Sequence, residues 1–449
     1  MAEQANIGNL IFMCIITVSY SGAIGLCRTV IFSTILKIDD SVINSVSLGI
    51  FTLIFLFGPF SLPLYQRIIY KFTYKAVFCI TSLVNVISTT LYIIIIEQQP
   101  KQIYLIIAIL LFEAIAAPFL AIFYCAYNYY VRSISNSKNI GIYFGIAYSL
   151  FSMQNFIGDI YITFANSMYE YNEYFYYPML FISLIISMLY LFIKEPKFGN
   201  KSNSSQSIDL HQRINQHIYG SQEEQNLLQR EDDPSYSNQF IQIWTVYKKD
   251  PLFIYIIPTI ISLGIFSAFN VVYSQDMIVP HYSMQLNQEL IAGLTLHGIG
   301  QFLGGITVGL ISDIYGYLNL LIILQIFAIL TYIISVNLQY QIRIVGETTQ
   351  VNNTLFYIFD FMSGLLISSS QVLTFAISGS QYHHNKNVLQ FCNWIYCVTF
   401  YLFTIFMSLT SSSNLTLGVI SFSSFIILYS ILNFACLWFH RRQYLIDLQ

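Results

Sequence analysis

Residues 76–96 form an apolar run without one Asp, Glu, Lys, Arg or His, and residues 317–341 form a second. Runs of this kind belong in one solvent. The hydrocarbon core of a bilayer is about 30 Å thick and needs roughly 20 apolar residues per helix. Read this way, the chain has twelve segments, near 8–35, 43–65, 76–96, 102–131, 140–165, 174–193, 252–279, 289–312, 317–341, 354–381, 387–411 and 414–439. The runs are continuous rather than alternating, which excludes a β-barrel. The expectation is an all-α membrane protein with twelve transmembrane helices. Only 9% of the 449 residues are charged, against about 25% in soluble domains, too few to clothe a water-facing surface.

Basic residues orient the segments. Fifteen of the 19 Lys and Arg residues fall on one side of this threading, Lys37, Lys101 and Arg343 fall on the other, and Arg28 lies inside segment 1. Positive residues near segment ends stay cytoplasmic, so both termini and the long central loop are expected in the cytoplasm. MAEQANIGN at the start lacks the positive stretch of a cleaved signal peptide, so segment 1 is expected to be retained. The sequons at Asn352 and Asn414 then face away from the cytoplasm and are candidate glycosylation sites. A net charge of -3 offers no basic field for nucleic acid. The seven cysteines all lie in apolar segments without a CxxC pair, so neither disulfides nor metal sites are expected. No phosphate-binding glycine loop or nucleophile elbow is present, so no enzyme activity and no cofactor are expected.

Residues 195–250 turn to Ser, Asn, Gln and charge, a composition too polar to bury a core. The chain is therefore expected to divide into a six-helix bundle at 1–194, a mostly disordered cytoplasmic loop at 195–250 and a second six-helix bundle at 251–449. Within the loop, Glu223-Glu224-Gln225-Asn226-Leu227-Leu228 fits the acidic dileucine pattern. Glu223, Leu227 and Leu228 would direct the protein to an endolysosomal or vacuolar membrane; otherwise the plasma membrane is the destination.

Charged side chains inside segments are costly, roughly 2.5–3.5 kcal/mol each at a helix centre on insertion scales, and usually face a cavity or a partner. Arg28 lies in segment 1, Glu113 in segment 4, Asp159 in segment 5 and Asp360 in segment 10. Polar residues recur at helical spacing beside three of them: Thr17, Ser21, Gly25 and Arg28; Tyr148, Ser152, Asn155 and Asp159; Asp360, Ser363, Ser370, Thr374 and Ser378. Such stripes face away from lipid. They suit either a hydrophilic path for a cation or coupling proton, or, for Arg28 and Asp159, an ion pair that ties two helices together. Glu113 has no partner near it in sequence and favours the path. His297 in segment 8, a lone imidazole among small residues, favours a helix–helix hydrogen bond.

Gly309-Leu310-Ile311-Ser312-Asp313-Ile314-Tyr315-Gly316 matches the G-x-x-x-D-x-x-G loop of the major facilitator superfamily, in its second-half position between segments 8 and 9. The basic residues that normally follow are replaced by Tyr317, Leu318 and Asn319, and the first-half copy around Pro63 to Lys75 has neither Asp nor Gly. Three stretches are similar to the Unc-93-like branch: GIYFGIAYSLFSMQNFIGD from Gly141 to Asp159, GIGQFLGG from Gly298 to Gly305, and Asp360 followed by Gln371. Here Asp159 stands for the usual Asn and Gln301 for the usual Glu. Ala116-Ala117-Pro118 resembles the branch's segment 4 entry, but the expected continuation is absent from FYCAYNYY.

The resemblance implies the major facilitator fold, with segments 1, 4, 7 and 10 lining a central cavity. It implies Gly309, Asp313 and Gly316 as a conformational latch, and Arg28, Glu113, Asp159, Gln301, Asp360 and Gln371 as cavity residues. It also implies a role in potassium homeostasis as a channel-regulatory or trafficking subunit, partnered by another membrane protein such as an ion channel. The intramembrane charges support the alternative, a proton-coupled carrier of a cation or small solute. The dileucine reading gives the first test: replacing Leu227 and Leu228 together by Ala should move the protein to the cell surface, scored by surface biotinylation, and unchanged endolysosomal retention would remove the motif from consideration.

Overall fold

The computed structural model describes residues 2–36, 68, 72–98, 102–136, 139–166, 172–196, 251–274, 286–345, 353–381, 386–413 and 415–447. Segment 2, nearly all of the central loop with Glu223, Leu227 and Leu228, and the sequons at Asn352 and Asn414 lie outside them. The described residues form eleven α-helices and no strand: α1 (Ala2–Leu36), α2 (Tyr74–Glu97), α3 (Gln102–Ile134), α4 (Ile140–Asn166), α5 (Asn172–Leu189), α6 (Pro251–Phe269), α7 (Leu286–Tyr315), α8 (Tyr317–Val345), α9 (Asn353–Gln381), α10 (Lys386–Ser413) and α11 (Leu415–Asp447). They correspond in order to segments 1 and 3–12.

The helices overrun several apolar runs. α1 begins six residues before segment 1, and α11 continues past residue 439 through His440, Arg441 and Arg442. Backbone hydrogen bonding does not stop where side chains turn polar, since helix ends can emerge into water. Two ends are tighter or looser than expected. Segment 6 finishes in a 3₁₀ turn at Tyr190–Phe192, closed by the Ile193 N–H donating to the Tyr190 carbonyl at 3.2 Å, and segment 7 finishes in a π turn at Asn270–Ser274. Both re-route the orphan carbonyls of a helix terminus.

Seven of these helices contain a stretch long and apolar enough to cross a membrane, while α4, α5 and α6 carry shorter apolar stretches. Burial is inverted relative to a soluble protein. Ile87, Leu111, Phe181, Leu330 and Leu432 are exposed, whereas Thr17, Thr89, Gln325, Thr331, Ser369 and Ser423 are fully buried. Lipid cannot hydrogen-bond, so polar groups turn inward. Hydroxyls fold onto carbonyls one turn back, as Thr81 does to Val77 at 2.8 Å and Thr331 to Phe327 at 2.8 Å. Buried apolar side chains gather in two clusters. One runs from Leu10 to Ile193 and takes in Val372, Phe375, Ala376 and Leu389; the other runs from Ile256 to Leu437.

α7 sits where those clusters meet and packs most extensively against α9 and α4. Glycines make this possible on two of its faces. A Cβ on Gly309 would lie 2.7 Å from the Gly141 carbonyl oxygen and 2.8 Å from the Gly145 Cα; one on Gly145 would lie 2.8 Å from the Gly305 carbonyl oxygen. Toward α9, a Cβ on Gly304 would lie 2.6 Å from the Leu365 carbonyl oxygen, and Gly300 and Gly364 meet the backbone of Phe361 and His297. Small residues four apart let membrane helices approach backbone to backbone, where van der Waals contact replaces the missing hydrophobic drive. The Ser149 hydroxyl adds a hydrogen bond to the Phe302 carbonyl at 2.7 Å. Gly305→Val, which meets the Ser149 hydroxyl and Gly145 carbonyl, should therefore cost at least about 1–3 kcal/mol, the usual penalty of overpacking, and lower the melting temperature in detergent. Gly8→Ala, with open space around it, should not; equal melting of the two variants would refute the tight contact.

Candidate functional site

The reversal between α7 and α8 is one residue, Gly316, at φ +82. Its N–H donates to the Ser312 carbonyl at 3.2 Å, ending α7 with the left-handed residue that favours glycine. This holds Asp313 in the last turn of α7, against the start of α4. The carboxylate accepts the Gly141 N–H at 3.0 Å on Oδ1 and the Ile142 N–H at 2.9 Å on Oδ2. Those N–H groups belong to the unpaired first turn of α4. A carboxylate from 172 residues away thus caps a helix and meets its positive end. The Tyr317 hydroxyl donates to Oδ1 at 3.2 Å, so the residue standing where basic residues are usual supplies a donor. A Cβ at position 141 would lie 2.6 Å from Asp313 Oδ1, so a larger residue there would displace the carboxylate from its cap. At the same end of the bundle, Glu195 Oε1 accepts the Lys75 N–H at 3.0 Å, capping α2.

A second junction joins the two sets of helices one to two turns further in. Asn128 Nδ2 of α3 donates to Asn393 Oδ1 of α10 at 2.9 Å, and the Tyr148 hydroxyl of α4 donates to Asn128 Oδ1 at 2.7 Å. Asn393 Nδ2 reaches Cys125 Sγ at 3.6 Å. The Tyr148 ring stacks on Phe375 of α9, with centroids 5.6 Å apart at 11°, and Phe144 stacks beside it at 6.2 Å. Asn128 and Asn393 were not singled out from the sequence. Their signal was there, an amide within an apolar run, but nothing local shows that two such amides 265 positions apart face each other.

The residues expected to line a cavity are only partly brought together. Asp360 is buried, and its Oδ1 has no hydrogen-bond partner. Next to it His297 Nδ1 lies 3.1 Å from the Asp360 carbonyl and 3.0 Å from the Ser363 hydroxyl, and His297 Nε2 lies 3.1 Å from Gln301 Nε2. A carbonyl only accepts, so Nδ1 carries the proton and Nε2 accepts from the Gln301 amide. That pairing explains what Gln301 does in place of a Glu: an amide N–H can donate to a neutral imidazole, whereas a carboxylate cannot. Gln371 is half-buried near the Tyr396 hydroxyl. Arg28, Glu113 and Asp159 stand on α1, α3 and α4, and their side chains lie outside the described residues. The α9 stripe of Asp360, Ser363, Ser370, Thr374 and Ser378 is buried throughout. On α1, Thr17 faces the 3₁₀ turn that follows α5, accepting the Tyr190 hydroxyl at 3.2 Å. Among the described residues no group of three or more His, Cys, Asp or Glu could hold a metal.

A family model described as the Major Facilitator Superfamily matches residues 10–385. No curated protein matches the chain in sequence. Solved structures share its fold. A bacterial homologue of the iron transporter ferroportin in an outward-facing state is 12% identical with a TM-score of 0.61, covering 96% of this chain and 98% of that one. The E. coli fucose:proton symporter is 12% identical with a TM-score of 0.60, covering 94% and 98%. A proton:xylose symporter is 12% identical with a TM-score of 0.62, covering 95% and 93%. The cap geometry makes a specific prediction: Asp313→Ala should remove about 0.5–2 kcal/mol of helix-capping stabilisation and loosen the α4–α7 end. Spin labels at Ser135 and Tyr315 should then report a longer-distance population absent or minor in the parent protein, and an unchanged distribution would show that Asp313 does not hold that end shut.

Proposed function

The chain belongs to the major facilitator superfamily, and from that premise we propose that this multi-pass membrane protein is a secondary transporter of a small solute, working by alternating access. The observation that carries the reading is where the two sets of helices touch. The Asp313 cap on α4, the Asn128–Asn393 pair and the Tyr148–Phe375 stack all lie toward the end of the bundle that bears Gly316. Beside the glycine-lined approach of α7 to α4, these are polar and aromatic contacts, individually modest, of the kind a rocking carrier must break and remake. With that end placed in the cytoplasm by the positive-residue expectation, we read the structure as the outward-facing state, the state of the ferroportin homologue and of a fucose symporter structure of the same fold.

Asp360 is the candidate coupling group. An intramembrane carboxyl with an unpartnered oxygen is a functional residue by default, and it can take up a proton or a cation without displacing an existing partner. Glu113, Asp159 and Arg28 complete the set of intramembrane charges assigned to the path. The Unc-93-like resemblance supports a second reading, a channel-regulatory or trafficking subunit, through the first-half loop that lacks Asp and Gly. The family match and the structural neighbours support carriage better.

Purified protein in liposomes, offered a pooled cell extract with and without an inward proton gradient, should enrich at least one solute several-fold over protein-free liposomes, read by mass spectrometry. Asp360→Asn should retain solute exchange but lose the dependence on the gradient. A folded protein that enriches nothing and co-purifies with another membrane protein in gentle detergent would replace the carrier with the accessory subunit.

A further inference from the structure

The second junction is also a surface. Around the Asn128–Asn393 pair, phenols and amides from four helices gather with a serine hydroxyl from a fifth. The Tyr148 hydroxyl lies close to Tyr124 of α3 and to Tyr396 and Cys397 of α10. Tyr396 donates to the Ser267 hydroxyl of α6 at 3.5 Å and is within reach of Gln371 of α9. Tyr124 meets Phe151 edge-on at 5.9 Å. Tyr124 is exposed, while Gln371 and Tyr396 keep part of their surface open. One turn from Gln371, the Thr374 hydroxyl is buried and has no hydrogen-bond partner.

The chemistry of this set is uniform. Phenol, hydroxyl and carboxamide groups both donate and accept, and none carries a charge. Ring faces beside them suit the C–H face of a solute. Ionisable residues stand elsewhere on the same helices. Glu113, Asp159 and Asp360 are each eleven positions from Tyr124, Tyr148 and Gln371 (124−113, 159−148 and 371−360), which is about 16 Å along a helix. All three are displaced in the same direction, away from the Gly316 end. An ion resting among these groups would exchange its water shell for uncharged donors and acceptors, a cost that a neutral solute with several hydroxyls does not meet.

We infer that this junction, centred on Tyr124, Tyr148, Gln371, Asn393 and Tyr396, is the binding site for an uncharged, polyhydroxylated solute of sugar or polyol type, with the acidic residues forming a separate tier for the coupling ion. The inference rests on the carrier reading and adds the class of what is carried. In this arrangement the amides and phenols replace the hydroxyl–water bonds of the solute, and the Asn128–Asn393 and Tyr148–Phe375 contacts form the barrier beneath it.

Counterflow with the full-length protein in liposomes tests it, using radiolabelled D-glucose, D-mannitol and myo-inositol in parallel with rubidium. Uptake of at least one of the three uncharged probes above protein-free liposomes is expected, with no rubidium counterflow. Gln371→Leu and Tyr396→Phe should each reduce that uptake at least tenfold, mainly through a raised KM, and keep the parent melting temperature. Wild-type selectivity decides the question if either variant fails to fold. Rubidium counterflow without that of the uncharged probes would overturn the solute class and leave the carrier reading standing. No counterflow of any probe, together with no solute enriched from the pooled extract, would overturn both.

Discussion

The contact on which the arrangement depends is the backbone-to-backbone approach of α7 to α4 on one face and to α9 on another. Within lipid, burying apolar side chains gains nothing over leaving them in the hydrocarbon, so helices associate through close packing and through polar groups that have no other partner. Gly305 and Gly309 meet Gly141 and Gly145, while Gly300 and Gly304 meet the backbone around Phe361 and Leu365. With no Cβ in the way, the dispersion contacts are made by the main chain itself. Both the Asp313 cap and the aromatic and amide junction lie on helices positioned by that approach.

The connections between the two sets of helices differ in kind from those within each set. Inside a set, aromatic rings interlock, as Phe78 does with Tyr190 at 5.3 Å and Phe269 with Tyr332 at 5.0 Å. Between the sets the links include a carboxylate on two backbone N–H groups, an amide pair, the Ser149 hydroxyl on the Phe302 carbonyl, the Phe144 and Tyr148 rings on Phe375, and the glycine contact. Each hydrogen-bonded link is worth on the order of 1 kcal/mol net. Such links can be exchanged for others by a rigid-body motion, whereas an interlocked core cannot. This difference in kind is the physical basis for reading the molecule as a carrier with one end closed.

Charge is placed with similar economy. Asp313 lies near the basic end of the bundle and is neutralised by helix N–H groups and a phenol. Asp360 is buried with an oxygen left over, beside a histidine whose two nitrogens are both already engaged by Asp360, Ser363 and Gln301. His297 is therefore spoken for structurally, and the Asp360 carboxyl is the group at that place with capacity to spare. In the proposed carrier, separation of this acidic tier from the neutral junction would keep a coupling ion and a neutral solute from competing for the same groups.

Much of this was legible in the chain. Runs such as 76–96 and 317–341 determined the solvent, the helical class and the order of the helices, because a backbone in hydrocarbon must satisfy its own hydrogen bonds. Gly309, Asp313 and Gly316 were recognisable as the G-x-x-x-D-x-x-G loop, whose last glycine supplies the positive φ of the tight reversal. Other features were decided only by tertiary structure. The sequence showed polar stripes on α1 and α9 at the right period, yet Thr17 turned to a tyrosine in the 3₁₀ turn after α5 and Ser363 to a histidine on α7, since periodicity gives a face but not the neighbour it meets. It did not reveal that Asp313 would cap α4, that Asn128 would find Asn393, or that Gln301 would hold a neutral His297. The first two pairings span 172 and 265 positions and depend on where two helices cross, which local composition does not encode; the third lies within one turn of α7, and its tautomer is set by the Asp360 carbonyl from α9.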